Sequence, residues 1–427
     1  MMKIKKEEAL FYHNGDSPGK LEIKPKKPFK TQRDLSLAYT PGVAFPCLEI
    51  KEDPIRSYDY TIRSNLVGVV TNGTAVLGLG DIGSLASKPV MEGKALLFKR
   101  FAGIDVFDIE IDEKDPDKFC EVVKKISPTF GAINLEDIKA PECFYIEKKL
   151  KEELDIPVMH DDQHGTAIVS AAALLNAIEI TGKDISQIRL VINGAGAAAI
   201  ACGRLYRKLG VKNIIMLDSK GVISKKRDDL PEHKKEFATD ENIRSLKEAM
   251  YGADVFIGLS KGNILSKNMV LSMNEEPIIF ALANPTPEIF PEDVYSVRDD
   301  AIVATGRSDY PNQINNVIAF PFIFRGALDT RAESINDQMI LSAIRGIAEL
   351  AKKEVPEEIK EIYESDLRFG RDYIIPKPFD HRLLIEVPVK VAEASLKLGV
   401  ARVKDFDLER YREDLKKLSY ELLSSFK

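Results

Sequence analysis

The densest group of potentially reactive side chains lies in residues 157–166, which read PVMHDDQHGT. An apolar run over residues 156–159 ends at His160 and at two carboxylates, Asp161 and Asp162. This pattern predicts a buried strand that delivers both carboxylates to one edge of a sheet. Ligands of open parallel sheets bind beyond the carboxyl ends of the strands, so this edge is a candidate site.

Two other apolar runs also end at acidic residues. Residues 131–135 lead into Glu136 and Asp137, and residues 76–80 lead into Asp81. Carboxylates gathered at one edge repel each other unless a cation lies among them. The sequence therefore predicts a divalent metal held by carboxylates from separate strands.

Alternating apolar and amphipathic segments indicate the elements that would position these acids. Strands are predicted at residues 66–70, 76–80, 104–111, 131–135 and 156–159. Segments with helical periodicity lie between them, at residues 84–101, 116–126 and 141–154. This alternation is typical of βαβ units with a mainly parallel sheet.

A glycine-rich turn after residue 193 predicts a dinucleotide site. Residues 188–193 are rich in β-branched side chains and lead into Gly194, Ala195, Gly196, Ala197 and Ala198. The glycines permit a tight turn, and the following helix N-terminus would meet the pyrophosphate.

Asp218 lies about twenty residues beyond this turn, at the end of the next predicted strand, where an acid binds the adenosine ribose. It favours NAD, whereas Lys220 would tolerate the 2′-phosphate of NADP. The motif formed by Gly78, Gly80 and Gly83 is similar but lacks an acid at this spacing. We interpret it as a turn on the substrate side.

Three further strands are predicted at residues 253–258, 278–283 and 301–306, and asparagines follow two of them. Asn284 follows the second of these strands, and Asn315 and Asn316 follow the third. Their amides could contact substrate or nicotinamide, or they could simply shape turns.

The pattern as a whole predicts an α/β protein of two domains with a C-terminal helical segment. We expect a substrate- and metal-binding domain over residues 1–163, with a mainly parallel sheet. A Rossmann-type domain would follow over residues 164–385, entered through a long helix near residues 166–181. Residues 386–427 would form a helical extension.

Composition excludes several classes of protein. The 427 residues are 44% hydrophobic and 30% charged, which is typical of a globular chain. A net charge of −6 argues against a nucleic-acid partner. The longest apolar run, residues 167–177, is too short to span a membrane. Four scattered cysteines indicate neither disulfides nor a zinc cluster, and they fit a cytoplasmic location.

Lys94 and Tyr39 could supply a base and an acid. Lys94 lies on the helix expected to pack over the acidic edge, and burial or a nearby cation would lower its pKa toward neutrality. Most lysines in so charged a chain are solvated surface groups. Tyr39 precedes Pro41 and Gly42, so it lies on a loop, where a half-buried structural anchor is the alternative.

A dinucleotide, a metal, an amine and a phenol together favour oxidation of a hydroxy acid, with or without decarboxylation. Removing hydride from an alcohol requires a base for the hydroxyl proton. A hard cation chelates a 2-hydroxy acid through its hydroxyl and carboxylate. The same cation would stabilise an enolate if carbon dioxide were lost.

Five blocks between about residues 35 and 325 make the resemblance specific. The chain resembles the malic enzyme family, in its shorter prokaryotic form. The blocks are LAYTPGVA at residues 37–44, LGLGDIG at 77–83, EGKA at 92–95, NLED at 134–137 and HDDQHGTA at 160–167.

This resemblance implies oxidative decarboxylation of L-malate to pyruvate by a homodimer that uses NAD or NADP. Glu136, Asp137 and Asp162 would then bind Mg²⁺ or Mn²⁺. The remaining roles implied are a base for the malate hydroxyl at Lys94, a partner for that lysine at Asp161, an acid for C3 of enolpyruvate at Tyr39, pyrophosphate contacts at residues 194–197, and substrate or nicotinamide contacts at Asn284 and at Asn316 or Asn315.

One position departs from the family pattern. The longer animal-type enzymes carry an arginine before the LGLG block, where it binds a malate carboxylate. This chain has Ala75 there, so Lys94, Ser84 or the turn at residues 80–83 would have to substitute.

Two alternatives to a malic enzyme remain open on the sequence. A malolactic enzyme would keep the same site but release lactate without net reduction of the cofactor. A nucleotide-sensing protein without catalysis would be expected to have a broken acidic set, but Glu136, Asp137 and Asp162 are all present.

Overall fold

The computed structural model describes residues 4–14, 18–76 and 78–425. It is an α/β structure with two separate sheets, as predicted. The strands are β1 (Leu66–Thr71), β2 (Asp105–Glu110), β3 (Ala132–Leu135), β4 (Val158–His160), β5 (Arg189–Asn193), β6 (Asn213–Asp218), β7 (Gly221–Val222), β8 (Val255–Gly258), β9 (Ile278–Ala281) and β10 (Ile302–Thr305).

Helices surround both sheets. They are α1 (Lys6–Asn14), α2 (Gln32–Ala38), α3 (Ala44–Glu52), α4 (Ser57–Tyr60), α5 (Ser84–Ala102), α6 (Pro116–Ile126), α7 (Glu142–Glu153), α8 (Asp161–Thr181), α9 (Ala197–Leu209), α10 (Glu232–Lys235), α11 (Leu246–Met250), α12 (Lys267–Leu271), α13 (Pro291–Tyr295), α14 (Phe320–Asp329), α15 (Asp337–Ala351), α16 (Glu357–Tyr363), α17 (Leu383–Lys397) and α18 (Leu408–Ser425). Short 3₁₀ helices cover Pro54–Arg56, Ile62–Asn65, Ser127–Thr129 and Asn316–Ile318.

The first sheet has the order β2-β1-β3-β4, and all its strand pairs are parallel. Every residue of β1 is buried, as expected for a strand covered by helices on both faces. Because the strands are parallel, the segments after β3 and β4 leave the sheet at the same edge. Glu136 follows β3, and Asp161 follows β4.

Residues 76–80 do not form the predicted strand. Val76 and Gly80 instead make an isolated bridge across a tight turn, and Leu77 lies outside the described residues. Gly78, Gly80 and Gly83 all have positive φ, so the chain turns here rather than extending. Asp81, which was expected at the acidic edge, is at the surface in an ion pair with Lys114.

The second sheet has the order β10-β9-β8-β5-β6-β7. Its pairs are parallel except β6 with β7. Helices cover both faces of this sheet, which is the Rossmann-type arrangement that the sequence predicted. The order reverses at β5, so the turn after this strand opens at the switch point where dinucleotides bind.

Helix α8 connects the two sheets and is largely buried. It begins at Asp161, five residues before the predicted start, so the two acids form its first turn. One hydrophobic cluster includes residues of β1, α8 and β5, so both sheets share a core. The expected boundaries at residues 163/164 and 385/386 fall inside α8 and α17.

The C-terminal segment is helical, as predicted, and packs on the rest of the chain. Helix α18 contacts α17 and α5. The Tyr411 hydroxyl donates to Asp329 Oδ2 at 2.7 Å, and Asp329 also pairs with the buried Arg325. The Arg325 guanidinium donates in turn to Asn65 Oδ1, which links α14 to the first sheet.

The first three helices pack little against the rest of the described chain. Within the described residues, α1, α2 and α3 contain no buried residue. Exposed apolar side chains are concentrated there, including Leu37, Phe45 and Leu48. An apolar surface of this kind is typical of an interface.

Two findings bear on the expected environment of the chain. In its described portions, no helix combines the length and hydrophobicity needed to cross a bilayer. All four cysteines are free, and only Cys47 is exposed.

Candidate active site

Three carboxylates converge where β3 and β4 end. Glu136 and Asp137 follow β3, and Asp162 is the second residue of α8. One carboxylate oxygen from each lies within 4.8 Å of the others. The Asp137 backbone N–H donates to Asp162 Oδ2 at 2.7 Å, which fixes the two chain segments together.

The environment of these acids disfavours their charged forms. Burial, together with the neighbouring Asp162 carboxylate, raises the pKa of Asp137 to about 7 and that of Glu136 well above its ordinary value. Asp137 Oδ2 is buried and has no hydrogen-bond partner among the described residues. A set of closely spaced oxygen donors, one of them unpaired, fits a hard divalent cation.

Lys94 reaches this cluster from α5. Its Nζ lies 2.7 Å from Asp161 Oδ2 and 2.8 Å from Glu136 Oε1, and the side chain is only 11% exposed. The ammonium also lies 4.4 Å from the centre of the Phe320 ring. Burial lowers the pKa of Lys94, but Asp161 and Glu136 outweigh this effect and hold the pKa above its ordinary value. The expectation that burial would bring this pKa toward neutrality is therefore wrong, because the same burial places the amine beside two carboxylates.

Asp161 connects Lys94 to Asn316. Asp161 is fully buried, and its Oδ2 accepts from Asn316 Nδ2 at 3.1 Å. Thr166 donates to Asn316 Oδ1 at 3.0 Å, which orients the amide. A Cβ at Gly165 would lie 2.3 Å from Asp161 Oδ1, so this position requires glycine. Asp161, in the first turn of α8, thus links Lys94 of the first domain to Asn316, which follows the second sheet.

The structure distinguishes the two neighbouring asparagines. Asn315 Oδ1 accepts from the Val317 backbone N–H and caps the short helix Asn316–Ile318. Only Asn316 joins the cluster. The sequence analysis missed Asn134, whose Nδ2 donates to Glu136 Oε2 at 2.8 Å. Its position two residues before Glu136 was the available signal, since i and i+2 share one face of a strand.

Ala75 lies next to this cluster, because its N–H donates to the Asp137 carbonyl at 2.9 Å. A long side chain at this position would therefore start beside the acids. Ser84, which could replace the missing arginine, is buried and begins α5. Among the described residues, Ser84 makes no hydrogen bond to the carboxylates.

Tyr39 lies outside the cluster. It caps the C-terminus of α2, and its side chain is 68% exposed. Among the described residues, its hydroxyl makes no hydrogen bond. The half-buried structural anchor considered from the sequence is therefore wrong, because this ring contacts too little of its own chain.

The turn after β5 has the geometry that a pyrophosphate requires. Gly194 has φ 135°, and a Cβ there would lie 2.4 Å from the Leu259 carbonyl oxygen. No atom lies within 4 Å of a Cβ built at Gly196, so the backbone faces open space. Helix α9 begins at Ala197, and Ala195 and Ala198 flank the approach to its N-terminus.

Asp218 ends β6, but its carboxylate is already occupied. Arg227 donates to both oxygens, at 2.8 and 3.0 Å. Lys234 Nζ lies 3.1 Å from Oδ2, and the Lys220 N–H donates to Oδ1 at 3.0 Å. Burial raises the pKa of Asp218, but these donors outweigh it and hold the pKa at about 2. Arg227 and Lys234 were missed, because no local pattern links them to Asp218.

Asn284 is exposed just beyond β9, and a cis peptide bond joins it to Pro285. A Cβ built at Gly306 would lie 2.6 Å from Asn284 Nδ2. Gly306 follows β10, so Asn284 lies at the carboxyl edge of the second sheet, where the nucleotide turn also opens.

Two family models match most of the chain. The N-terminal domain of malic enzyme matches residues 18–151. The NAD binding domain of malic enzyme matches residues 163–365. The first match contains Lys94, Glu136 and Asp137, and the second contains the nucleotide turn.

Individual relatives agree with these models. The chain is 58% identical to the NADP-dependent malic enzyme of Escherichia coli (strain K12) over 94% of its length but only 54% of that protein. It is 51% identical to the bifunctional malic/malolactic enzyme of Bacillus subtilis (strain 168), covering 97% of this chain and 98% of that protein.

The chain therefore spans about half the length of the first curated relatives it matches. A crystal structure of malic enzyme from Pyrococcus horikoshii Ot3 is similar throughout, with a TM-score of 0.88 and 44% identity. That similarity covers 98% of this chain and 95% of the other. The chain belongs to the malic enzyme family.

Proposed function

We propose that this chain catalyses the oxidative decarboxylation of L-malate to pyruvate and carbon dioxide, with reduction of NAD or NADP. The observation that carries the proposal is the contact of Lys94 with Asp161 and Glu136, beside Asp137 and Asp162. An amine within 3 Å of carboxylates that can hold a cation is the arrangement that hydroxy-acid oxidation requires. The Escherichia coli relative is named for this activity.

Each residue of the site has a proposed role in this reaction. Lys94 accepts the hydroxyl proton of malate as hydride leaves C2, and Asp161 orients the lysine. Asn316 donates to the same Asp161 oxygen as Lys94 and contacts the substrate or the nicotinamide amide, and Asn284 contacts the nicotinamide. Tyr39 donates the proton to C3 after decarboxylation.

Glu136, Asp137 and Asp162 would hold Mg²⁺ or Mn²⁺. The unpaired, buried Asp137 Oδ2 and the raised pKa of Asp137 support this role, since both indicate carboxylates arranged without enough protein cations. Such an ion supplies positive charge that stabilises the enolate oxygen. Among the described residues, Lys94 is the cationic group that pairs with Glu136.

An assay of the purified chain tests the proposed reaction. With L-malate, Mn²⁺ and either nucleotide, absorbance of reduced nicotinamide should rise in proportion to pyruvate. Addition of EDTA should stop both. Absence of reduced nucleotide and of pyruvate under these conditions would refute the proposal.

A malolactic reaction is the second candidate, and the name of the Bacillus subtilis relative favours testing it. The same site would serve, but the nucleotide would be reoxidised on the enzyme. Lactate without accumulated reduced nucleotide would identify this reaction. A nucleotide-sensing protein without catalysis would bind nucleotide and turn over neither product.

We further propose that the nucleotide is NADP, in contrast to the NAD that Asp218 favoured from the sequence. The four hydrogen bonds to Asp218 occupy its acceptor positions, so a ribose hydroxyl would have to displace a donor. Asp218 would instead hold Arg227 and Lys234 where they can bind a 2′-phosphate.

We expect Arg227→Ala and Lys234→Ala each to reduce the ratio of kcat/KM for NADP to that for NAD by about 10- to 100-fold, as expected when a charged hydrogen-bond donor is lost. Steady-state rates with both nucleotides measure this ratio. Lys225→Ala is the matched control, since Lys225 is exposed and pairs with Asp240. An unchanged ratio in both variants would exclude binding of the 2′-phosphate by Arg227 and Lys234.

A homodimer is the proposed assembly, and the surface of α2 and α3 is its proposed interface. This surface comprises Leu37, Tyr39, Phe45 and Leu48, each more than 60% exposed. A second copy of the chain would bury it, and two-fold dimers are the commonest assemblies.

We expect the double variant Phe45→Asp and Leu48→Asp to become monomeric, because burying two carboxylates in this interface is unfavourable. Light scattering after size-exclusion chromatography measures the mass. Tyr251→Asp is the control, because Tyr251 is 77% exposed on the second sheet unit. A dimeric double variant would show that the interface lies elsewhere.

Tyr39 is proposed to act in the site of the partner subunit. Its high exposure, and a hydroxyl without a hydrogen bond among the described residues, support this arrangement. We expect Lys94→Ala and Tyr39→Phe dimers, each nearly inactive, to recover about a quarter of wild-type activity when subunits exchange, because half of the dimers then contain one intact site. No recovery in a mixture shown to exchange would place Tyr39 in its own subunit.

We propose a substrate- and metal-binding domain to about residue 163, a nucleotide-binding domain to about 385, and a helical extension to 427. Helices α8 and α17 would be shared across these boundaries. A cytoplasmic location and the absence of a nucleic-acid partner are supported by the free cysteines and the net charge of −6.

A further inference from the structure

Glu147 is a buried carboxylate on α7 that belongs neither to the acidic cluster nor to any block of the family resemblance. It is 6% exposed. Its Oε1 accepts from the His160 backbone N–H at 3.1 Å and from His164 Nε2 at 2.8 Å. Lys151, one turn along α7, pairs with it at 2.7 Å. A side chain with this many donors is fixed in place.

The two histidines give Glu147 its significance. His160 is the last residue of β4, and His164 lies in the first turn of α8. Between them are Asp161, which contacts Lys94, and Asp162, which belongs to the acidic cluster. Glu147 therefore bonds to the chain on both sides of the two acids in the sequence, at His160 and at His164.

We propose that Glu147 is a positioning residue that holds Asp161 and Asp162 in register with Glu136 and Asp137. The inference rests on the proposed metal site and deepens it. The backbone N–H of His160 fixes where β4 ends, and the ring of His164 fixes the rotation of the first turn of α8. Partners behind the ligands of a metal commonly change its affinity about 10- to 100-fold when removed.

The close packing of the first turn of α8 explains why its position must be fixed by Glu147. The Gly165 position already lies within 2.6 Å of Asp161 and Asn316 when a Cβ is built there. Asp162 in turn accepts from the Asp137 N–H at 2.7 Å. A small rotation of this turn would break these contacts together, because they all depend on one short backbone segment.

The surroundings of Glu147 provide a matched control. Glu147 and His164 line a cavity of about 520 Å³ between α7, α9 and α15, and Glu152 lines the same cavity. Glu152 is also on α7, but its side chain is 65% exposed and its ion pair is with Lys148. Within the described residues it makes no hydrogen bond or ion pair with the segment at residues 160–164. A Glu152 variant therefore separates the loss of a carboxylate on α7 from the loss of the hydrogen bonds to His160 and His164.

Calorimetric titration of the full chain with Mn²⁺ alone tests the inference without using catalysis. We expect Glu147→Ala to raise the Kd for Mn²⁺ about 10- to 100-fold, and Glu147→Gln to raise it less, because its amide oxygen can still accept from His160. His164→Ala should weaken binding in the same direction. Glu152→Gln should match the wild type, and nucleotide affinity should be unchanged in all four variants.

The outcomes separate the two proposals. If wild-type protein binds no Mn²⁺, the proposed metal site fails, and this inference fails with it. If wild type binds Mn²⁺ but Glu147→Ala, Glu147→Gln and His164→Ala bind it equally well, only the positioning role is refuted. Should Glu147→Ala fail to fold, as judged by circular dichroism, the other two variants decide the matter.

Discussion

Replacing Lys94 with alanine is expected to lower kcat for malate oxidation about 10³-fold, within the range that a general base supplies. The amine that lies 2.7 Å from Asp161 is removed, and no other lysine reaches the cluster in the described chain. Lys94→Arg should be about as inactive, because a guanidinium keeps the positive charge but does not give up its proton. Initial rates at saturating malate, nucleotide and Mn²⁺ measure the effect.

The arginine variant also separates catalysis from folding. Alanine leaves Asp161 and Glu136 buried without their cation, and breaking a buried pair costs about 3–5 kcal/mol. Arginine retains that pairing. Lys99→Ala is the control from the same helix, since Lys99 is 44% exposed and pairs with Asp105. If Lys94→Arg kept more than a tenth of wild-type kcat, Lys94 would not be the base.

Replacing Asp162 with asparagine is expected to raise the Kd for Mn²⁺ on the order of 100-fold or more, because one of three anionic ligands is lost. Catalysis should fall with metal occupancy. The amide oxygen of asparagine can still accept from the Asp137 N–H, so the fold of this region should be preserved. Titration calorimetry and steady-state rates at increasing Mn²⁺ measure both effects.

Thermal unfolding gives an independent measurement on the same variant. Mn²⁺ at about 100 times its Kd should stabilise the wild type by about 2.7 kcal/mol, and the same concentration should barely stabilise Asp162→Asn. In EDTA the variant should be at least as stable as the wild type, because one of several mutually repelling carboxylates is gone. Asp112→Asn is the control, since Asp112 is an exposed acid beyond β2. Equal stabilisation of all three proteins would rule out a metal at this cluster.

The acidic cluster shows how far local patterns reach. Glu136 and Asp137 follow one buried strand and Asp162 follows shortly after another, so the rule for parallel sheets brings them together. The same reasoning failed for Asp81. Residues 76–80 are apolar enough for a strand, but three glycines with positive φ turn the chain, and Asp81 pairs with Lys114 instead. Hydrophobicity alone did not distinguish a strand from a glycine turn.

The nucleotide site likewise has one part that the sequence predicts and one part that it does not. The turn from Gly194 to Ala197 could be predicted from residue spacing, because the glycine pattern lies directly between a strand and a helix. The hydrogen bonds to the Asp218 carboxylate could not be predicted in this way, because no sequence motif links Arg227 and Lys234 to Asp218. The choice between two equivalent asparagines likewise depended on Asn316 meeting Asp161, 155 residues earlier in the chain.

By itself the sequence determined the alternation of strands and helices, the edge at which the acids gather and the turn that receives a pyrophosphate. These features depend on periodicity and on neighbours within one βα unit. The resemblance had implied the pairing of Lys94 with Asp161, and the structure contains that contact. Only the tertiary structure decided the other contacts: Asn316 with Asp161, Arg227 with Asp218, and Glu147 with the His160 backbone and the His164 ring. Such contacts join elements far apart in sequence, and their partners are selected by packing, which no local pattern encodes.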